Sequence, residues 1–361
     1  MSPPDTGRNT ARKRITAQAA GSNHRVRLVG GVLVALLAGT AVLTTVVPSP
    51  TGATGSTAEP SAAATLRLGY FANVTHAPAL VAESRSLLRQ ELEPAGTALE
   101  TQVFNAGPSA IEALNSGALD AAYIGPSPAL NSYLASGGSS LRIVAGVAEG
   151  GASLVVSAQI TELADLPGTE LATPQYGGTQ DVALRHFLAE RELDGSVTVT
   201  PSSNGTVPQL FARGAIDGAW LPEPHASLLV QEYGAHRLVD EAELWPEGRF
   251  PTTVLVATQD FIAAHPHTVE ALVRANAQAI DWLESASDTE RLDAVQQALV
   301  DINGSSLSDE VIASALQEVS FSQQPLSGTF GELVEHAAGV GIGDTGDVSG
   351  LVDDRWIRER P

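Results

Sequence analysis

Ser109-Ala-Ile-Glu-Ala-Leu-Asn-Ser-Gly-Ala-Leu-Asp-Ala-Ala-Tyr-Ile-Gly-Pro-Ser-Pro-Ala129 aligns without a gap on Thr206-Val-Pro-Gln-Leu-Phe-Ala-Arg-Gly-Ala-Ile-Asp-Gly-Ala-Trp-Leu-Pro-Glu-Pro-His-Ala226, 97 residues further on. Each copy reads as a short helix, a Gly-Ala-hydrophobic-Asp turn, a buried strand and a proline-containing start to the next helix. One α/β unit is therefore used twice. Upstream of the copies, residues 66–70 and 170–173 are strand-like, and each leads through small polar residues into a helical pattern. Residues 99–103 and 196–200 supply a second strand to each unit, and strands alternating with helices predict parallel βαβ pairing. Right-handed crossovers place the strand-to-helix loops on one edge of each sheet. Ligands of open α/β sheets bind outside the carboxyl ends of the strands, so two such edges facing each other predict a functional cleft.

A chain of 361 residues has room for about two domains. Ahead of them, Arg8, Arg12, Lys13, Arg14, Arg25 and Arg27 precede an uncharged run over 28–47. A helix of that length rises about 30 Å, enough to cross a bilayer core. The basic flank, residues 1–27, then stays in the cytoplasm and everything after the run lies outside. The run exceeds an ordinary signal-peptide core and lacks a clear small-residue cleavage site, so an anchor is favoured over a cleaved signal. Residues 48–64, rich in Pro, Ser, Thr, Gly and Ala, read as a flexible linker. The chain has no cysteine, which excludes disulfides and cysteine-linked lipid.

Without the first 27 residues the chain keeps 14 arginines against 40 acidic residues, a net charge of −26. Such a surface repels nucleic acid and anionic lipid, so membrane contact is expected through the N-terminal segment only. The folded body is expected to be a monomer.

Four helix starts face the predicted cleft, and the first turn of a helix offers unpaired N–H groups and partial positive charge. They are Asn73-Val-Thr-His-Ala-Pro-Ala79, Gly125-Pro-Ser-Pro-Ala129, Tyr176-Gly-Gly-Thr-Gln180 and Pro222-Glu-Pro-His225. Thr75 is the expected N-cap of the first, and Asn204-Gly-Thr206 and Asn105-Ala-Gly107 are the expected support from neighbouring strand ends. Matching positions in two halves point to a shared site for an anion or polar group. Tyr123 and Trp220 occupy equivalent places in the repeat; Trp220 is a candidate contact, although core packing is the commoner role.

Three motifs in order, Leu68-Gly-Tyr-Phe-Ala-Asn-Val-Thr-His-Ala-Pro-Ala-Leu80, Ser116-Gly-Ala-Leu-Asp-Ala-Ala-Tyr-Ile-Gly125 and Trp220-Leu-Pro-Glu-Pro-His225, resemble the extracytoplasmic solute-binding proteins for aliphatic sulfonates, nitrate and taurine that serve ATP-driven importers. The resemblance implies an α/β, two-lobed type II periplasmic-binding-protein fold: two mixed sheets with helices on both faces and a two-segment hinge. On this chain the crossings fall near 151–157 and 252–258, so lobe 1 is expected over 65–152 plus 253–361 and lobe 2 over 153–252. Implied ligand contacts are Asn73, Thr75 and His76, with Gly125 and Ser127, in one lobe. Gly177, Gly178, Thr179 and Gln180, with Glu223 and His225, supply the other, and His225 stands where the family commonly has Tyr. Implied partners are a small solute, an ABC permease and its ATPase, and no cofactor is implied.

None of these loops contains Arg or Lys, so an oxyanion would rest on helix N-termini, hydroxyls and amides. Asp181 and Glu223 adjoin the same loops, and an unpaired carboxylate would oppose an anion. Either they turn away, or the ligand also carries a cationic group, as an aminosulfonate does. Nitrate, phosphonate and pyrimidine precursors are alternative ligands. No Gly-x-Ser-x-Gly elbow, His-Glu-x-x-His helix or P-loop lysine appears, so catalysis is not expected. A few enzymes of the same fold, or a tethered sensor, are the rival classes. His265 and His267 flank a proline at a helix start and lack the third ligand of a metal site. Helical spacing recurs over 261–284, 290–299 and 309–319, with a loop over 339–350.

Overall fold

A computed structural model describes residues 61–357. The chain first builds β1 (Thr65–Phe71), α1 (Ala77–Ser84), α2 (Leu87–Leu92), β2 (Ala98–Phe104), α3 (Gly107–Asn115), β3 (Ala121–Ile124), α4 (Pro126–Ala135) and β4 (Leu141–Gly150). It continues through β5 (Ala152–Val156), β6 (Glu170–Thr173), α5 (Thr179–Glu190), β7 (Thr198–Pro201), α6 (Val207–Ala212), β8 (Gly218–Pro222), α7 (His225–Tyr233) and β9 (His236–Asp240). It ends with β10 (Pro251–Thr258), α8 (Gln259–Ala264), α9 (Pro266–Ser285), α10 (Asp288–Asn303), α11 (Asp309–Gln317), β11 (Val319–Phe321) and α12 (Phe330–Gly339).

Two mixed sheets result, in the orders β11-β4-β10-β3-β1-β2 and β7-β6-β8-β5-β9. β1 pairs in parallel with β2 and β3 as β6 does with β7 and β8. The repeat thus folds as a repeat. Its Gly-Ala-hydrophobic-Asp turn has the same job twice. Asp120 accepts the N–H of Arg67 at 2.8 Å, and Asp217 accepts that of Glu170 at 2.8 Å, each carboxylate stitching the loop before the third strand to the start of the first. In both places the backbone answers, the aspartate N–H donating back to the same residue's carbonyl.

The antiparallel neighbour is exchanged between the halves. β3 pairs with β10, which arrives from the second sheet, while β8 pairs with β5, which arrives from the first. The expected crossings over 151–157 and 252–258 are mostly these strands. The passages themselves precede them, at Gly150–Gly151 and over 241–250. Gly150 and Gly151 have φ of +69° and +67°, a left-handed conformation costly for other residues. A side chain at 151 would also strike Val319 Cγ2 at 2.3 Å.

Alternation along the strands buries both faces of each sheet. Leu66, Leu68 and Tyr70 face the α1/α9 side, whereas Ala122 and Ile124 face the side of α4 and α12. In the second sheet Leu154 and Trp220 pack on Phe187 of α5, and Val155, Ala219 and Leu221 pack toward α6 and α7. Each fully buried leucine contributes on the order of 2 kcal/mol.

Four details depart from the sequence reading. The linker expected over 48–64 ends earlier, because Ala63 is buried, donates to Thr268 Oγ1 and accepts from Thr97 Oγ1. The helix expected over 261–284 is two helices, broken where His265 precedes Pro266 at the first turn of α9. The helix over 309–319 stops at Gln317, and β11 follows as an edge strand on β4. The loop expected over 339–350 is preceded by α12, whose face of Phe330, Leu333, Val334 and Ala337 is buried. Among the described residues no helix is long and apolar enough to cross a membrane, and the run at 28–47 lies outside them.

Gly146 of β4 has no room for a side chain, since a Cβ would lie 2.2 Å from the carbonyl oxygen of Gln324 and 2.8 Å from that of Ser322. Gly146→Ala should therefore destabilise the fold by about 1–3 kcal/mol in urea unfolding. Gly331→Ala, in open space on α12, should leave stability unchanged or slightly raised. Equal losses in the two variants would contradict this packing.

Candidate functional site

The loops after β1, β2 and β3 meet those after β6, β7 and β8. One cavity takes its lining from both sets: Asn73, Thr75, His76 and Gly125 from the first, Gly178, Thr179, Gln180 and Asn204 from the second. Phe71, Asn105, Ala106, Gly107, Pro128, Pro174, Pro222 and Thr252 complete it. The space is narrow. The centre of a water-sized sphere can move over about 30 Å³, which limits an occupant to a few heavy atoms.

Contacts between the lobes surround this cavity. Ser127 N–H donates to Thr179 Oγ1 at 3.3 Å, and Gly125 lies so close to Thr179 that a Cβ would sit 2.4 Å from the same oxygen. Glycine at 125 is what permits that approach. His225 Nε2 lies 3.2 Å from Asn73 Oδ1, and Gln175 Nε2 donates to Ser109 Oγ at 3.1 Å. The backbone N–H of Val74 donates to the carbonyl of Glu223 at 3.0 Å.

Four helices have an N-cap residue on the cavity lining, α1, α3, α4 and α5, and none is capped by a side chain. The N-cap residues of α3, α4 and α5 are Ala106, Gly125 and Gly178, which carry no acceptor in the side chain. Of the helices elsewhere, α8 and α10 are capped by Thr258 and Ser287, whereas α9, α11 and α12 carry no side-chain cap. Uncapped first turns leave N–H donors and the positive end of the helix dipole to an occupant. Thr75 does not cap its helix as expected: it lies within a 3₁₀ turn over Val74–His76, and His76 holds the N-cap position of α1.

Among the candidate residues three buried polar atoms have no partner: Asn204 Oδ1 on the lining itself, Ser127 Oγ between the lining residues Gly125 and Pro128, and His225 Nδ1 behind Asn73. Buried polar groups are ordinarily paired, so Asn204 Oδ1 and Ser127 Oγ, the two next to the cavity, mark places for a bound group. His76 Nδ1 accepts the N–H of Phe71 at 3.4 Å, which leaves the proton on Nε2. Burial pushes this imidazole down to about 3 and that of His225 down to about 4, so both are neutral hydrogen-bonding groups at ordinary pH.

The two carboxylates beside the loops turn inward onto arginines. Asp181 accepts from Thr173 Oγ1 at 2.7 Å, Gly177 N–H at 3.0 Å and Arg185 Nε at 3.0 Å. Glu223 accepts from Ser227 N–H at 3.0 Å and from Arg237, which also donates to Ser227 Oγ. Burial raises the Glu223 carboxyl, and Arg237 opposes that rise. No lining residue is Asp, Glu, Arg or Lys.

Six residues singled out in the sequence do not line the cavity, among them Ser127, which sits between the lining residues Gly125 and Pro128. Tyr176 is 56% exposed and stacks under the Arg185 guanidinium. Gly177 shapes the turn, with φ of +74° and its N–H on Asp181. Glu223 is sequestered by Arg237, and His225 reaches the site only through Asn73. Trp220 is core: its indole N–H donates to Glu241 at 2.7 Å and its ring packs edge-on against Phe187. The loop 105–107, expected as support at a strand end, lines the cavity, and Thr252 is a lining residue that no local sequence signal marks. Among the described residues no group of three or more His, Cys, Asp or Glu is placed to hold a metal ion.

The NMT1-like family profile matches residues 59–299 of the chain. A binding protein of Brucella abortus (strain 2308) is 28% identical over 288 residues, covering 74% of this chain and 86% of its own length. The taurine-binding periplasmic protein of Escherichia coli (strain K12) is 26% identical over 200 residues, 55% of this chain and 60% of that protein. Among solved structures, the alkanesulfonate-binding protein SsuA of Xanthomonas axonopodis pv. citri, bound to MOPS, superimposes with a TM-score of 0.66 at 24% identity, over 78% of this chain and 95% of that one. The periplasmic nitrate-binding protein NrtA of Synechocystis PCC 6803 gives 0.65 at 15% identity, over 78% and 82%. These likenesses establish the two-lobed type II fold.

Glu241, the carboxyl that holds Trp220, is pushed up to about 8 by burial. A folded-state value above the ordinary 4.5 means that stability from this group is full below about pH 4.5 and is lost as pH rises toward 8. Glu241→Gln keeps an acceptor for the indole and has no proton to lose. The variant should be more stable than the parent at pH 8, by on the order of 2–4 kcal/mol in urea unfolding, with the gap closing toward pH 5. A gap independent of pH would contradict the buried, protonated carboxyl.

Proposed function

The chain belongs to the NMT1-like family, and on that footing we propose that it is the extracytoplasmic solute-binding component of an ABC importer, capturing a small oxyanion between its lobes. The relatives named for taurine and alkanesulfonate support the class of solute. The observation that carries the reading is the pair of unpartnered buried atoms on opposite lobes: Ser127 Oγ, a hydroxyl with a proton to give, and Asn204 Oδ1, an acceptor.

An oxyanion satisfies the first together with the uncapped helix starts and the neutral His76. A second group bearing N–H or O–H satisfies the other. A short sulfonate with an amine or hydroxyl, taurine-like in chemistry, fits both and the narrow space. Fixed charge is not needed. Neutral donors in a site closed to water hold an anion firmly, because the local dielectric is low and the donors are already oriented. With Asp181 and Glu223 bound to arginines, nothing opposes the negative head.

The mechanism follows from where the donors sit. A solute resting on one lobe gains the donors of the other only when they meet, so binding shifts the population toward the closed arrangement by that differential free energy. Gly150–Gly151 and residues 241–250 are the segments about which such a motion turns. The paired lobes then present a composite surface to a permease and its ATPase, and the residues before 61 serve as export signal or tether. The lobes correspond to 65–152 with 253–361, and to 153–252.

Thermal-shift and calorimetric titrations with taurine, isethionate, ethanesulfonate and nitrate test the reading, since a ligand of the native state raises its melting temperature. Taurine and isethionate should bind about tenfold or more tightly than ethanesulfonate, which leaves Asn204 unpaired. Asn204→Ala should abolish that difference, and Ser127→Ala should weaken all sulfonates by roughly tenfold. Ethanesulfonate binding as tightly as taurine, or binding unmoved by Ser127→Ala, would count against this assignment.

A further inference from the structure

A second place where the lobes meet carries titratable groups that the solute site does not use. His186 on α5 and His336 on α12 stack face to face, ring centroids 3.4 Å apart and planes 16° from parallel, one ring from each lobe. Both side chains are largely buried, 23% and 17% exposed. They line an interlobe cavity with Val182, Leu244, Trp245 and Leu333. We propose that the His186–His336 stack is a proton-sensitive latch: neutral rings hold the lobes together, and acid drives them apart. The proposal rests on the lobe closure inferred above.

The electrostatics favour that direction. Facing His336 are His186 and Glu190 of α5, Glu332 one turn away on its own helix, the Trp245 ring 5.2 Å off, and Glu241 in the same cavity. Burial and the neighbouring His186 push His336 down to about 4, with Glu190 offsetting part of the effect. Glu190 is shared with Arg191 and His186, and its contact to His186 is 3.5 Å. Glu241, protonated through this range, adds no countercharge. Separation of the rings exposes His336 to water and returns it toward the ordinary 6.5. Protons therefore bind the separated form more tightly, and closure weakens as pH falls from about 6.5 toward 4.

The absence of cysteine allows a clean test in the full chain. Ser109→Cys and Gln175→Cys replace a pair that touches across the cleft, and a short bis-methanethiosulfonate reagent traps the lobes when they meet. Trapping rates are compared at each pH with those of the same chain carrying His336→Gln, so that thiol reactivity cancels in the ratio. His76 and His225 are present in both and cancel as well. Between pH 7.5 and pH 5 the rate of the parent relative to the variant should fall by about threefold or more. His336→Asn, which likewise removes the titrating ring, supplies the comparison if His336→Gln does not fold. A ratio constant with pH overturns the latch and leaves the solute site standing. No trapping in the parent at pH 7.5 overturns lobe closure, and the latch with it.

Discussion

Two carboxylates stand within a helical turn of the cleft, and the arginines behind them decide what the cleft can hold. Asp181 and Glu223 are fully buried, and each is paired inside its own lobe, with Arg185 and Arg237. A buried ion pair is costly to break, because removal of one partner leaves an uncompensated charge away from water. Those pairs therefore fix the loops as much as they neutralise them: Asp181 also holds the Gly177 turn, and Glu223 also holds the first turn of α7 through Ser227. The result is a cavity without a charged side chain, in which polarity comes from backbone N–H groups, hydroxyls, amides and a neutral imidazole.

The duplicated fold supplies those donors in matching positions. Each half ends its strands at the same edge, and each begins a helix there with an N-cap residue that cannot cap. In most helices a capping side chain stabilises the end by about 1 kcal/mol. At α3, α4 and α5 that stabilisation is forgone, and the donors stay available to something else. Strand exchange through β5 and β10 links the halves twice, so the two edges face one another across two passages, one of them turned by a glycine pair in the left-handed conformation.

Much of this was legible in the sequence. The repeat points to the α/β units, and β1, β2 and β6 fall within one residue of the strand-like runs at 66–70, 99–103 and 170–173. The loops at 73–76, 125–127 and 178–180 were found because glycine, proline and hydroxyl residues cluster after strands. What could not be read was direction. A carboxylate next to a binding loop has the same letter whether it faces a solute or an arginine 14 residues away, as Glu223 does with Arg237. Trp220 looked like a rim aromatic, yet the partner that pins its indole, Glu241, is 21 residues distant and belongs to a different strand end. The short β11 escaped because three residues carry too little periodicity. The stack of His186 on His336 joins positions 150 apart that no local pattern connects.

The central claim is that a small anion is held between two lobes by neutral donors alone. A crystal structure of the chain grown with taurine tests it most directly. The account predicts the sulfonate within about 3 Å of Ser127 Oγ and of the first-turn N–H groups of α5, with the amine at Asn204 Oδ1. A sulfonate resting on an arginine, or touching residues of one lobe only, would contradict it.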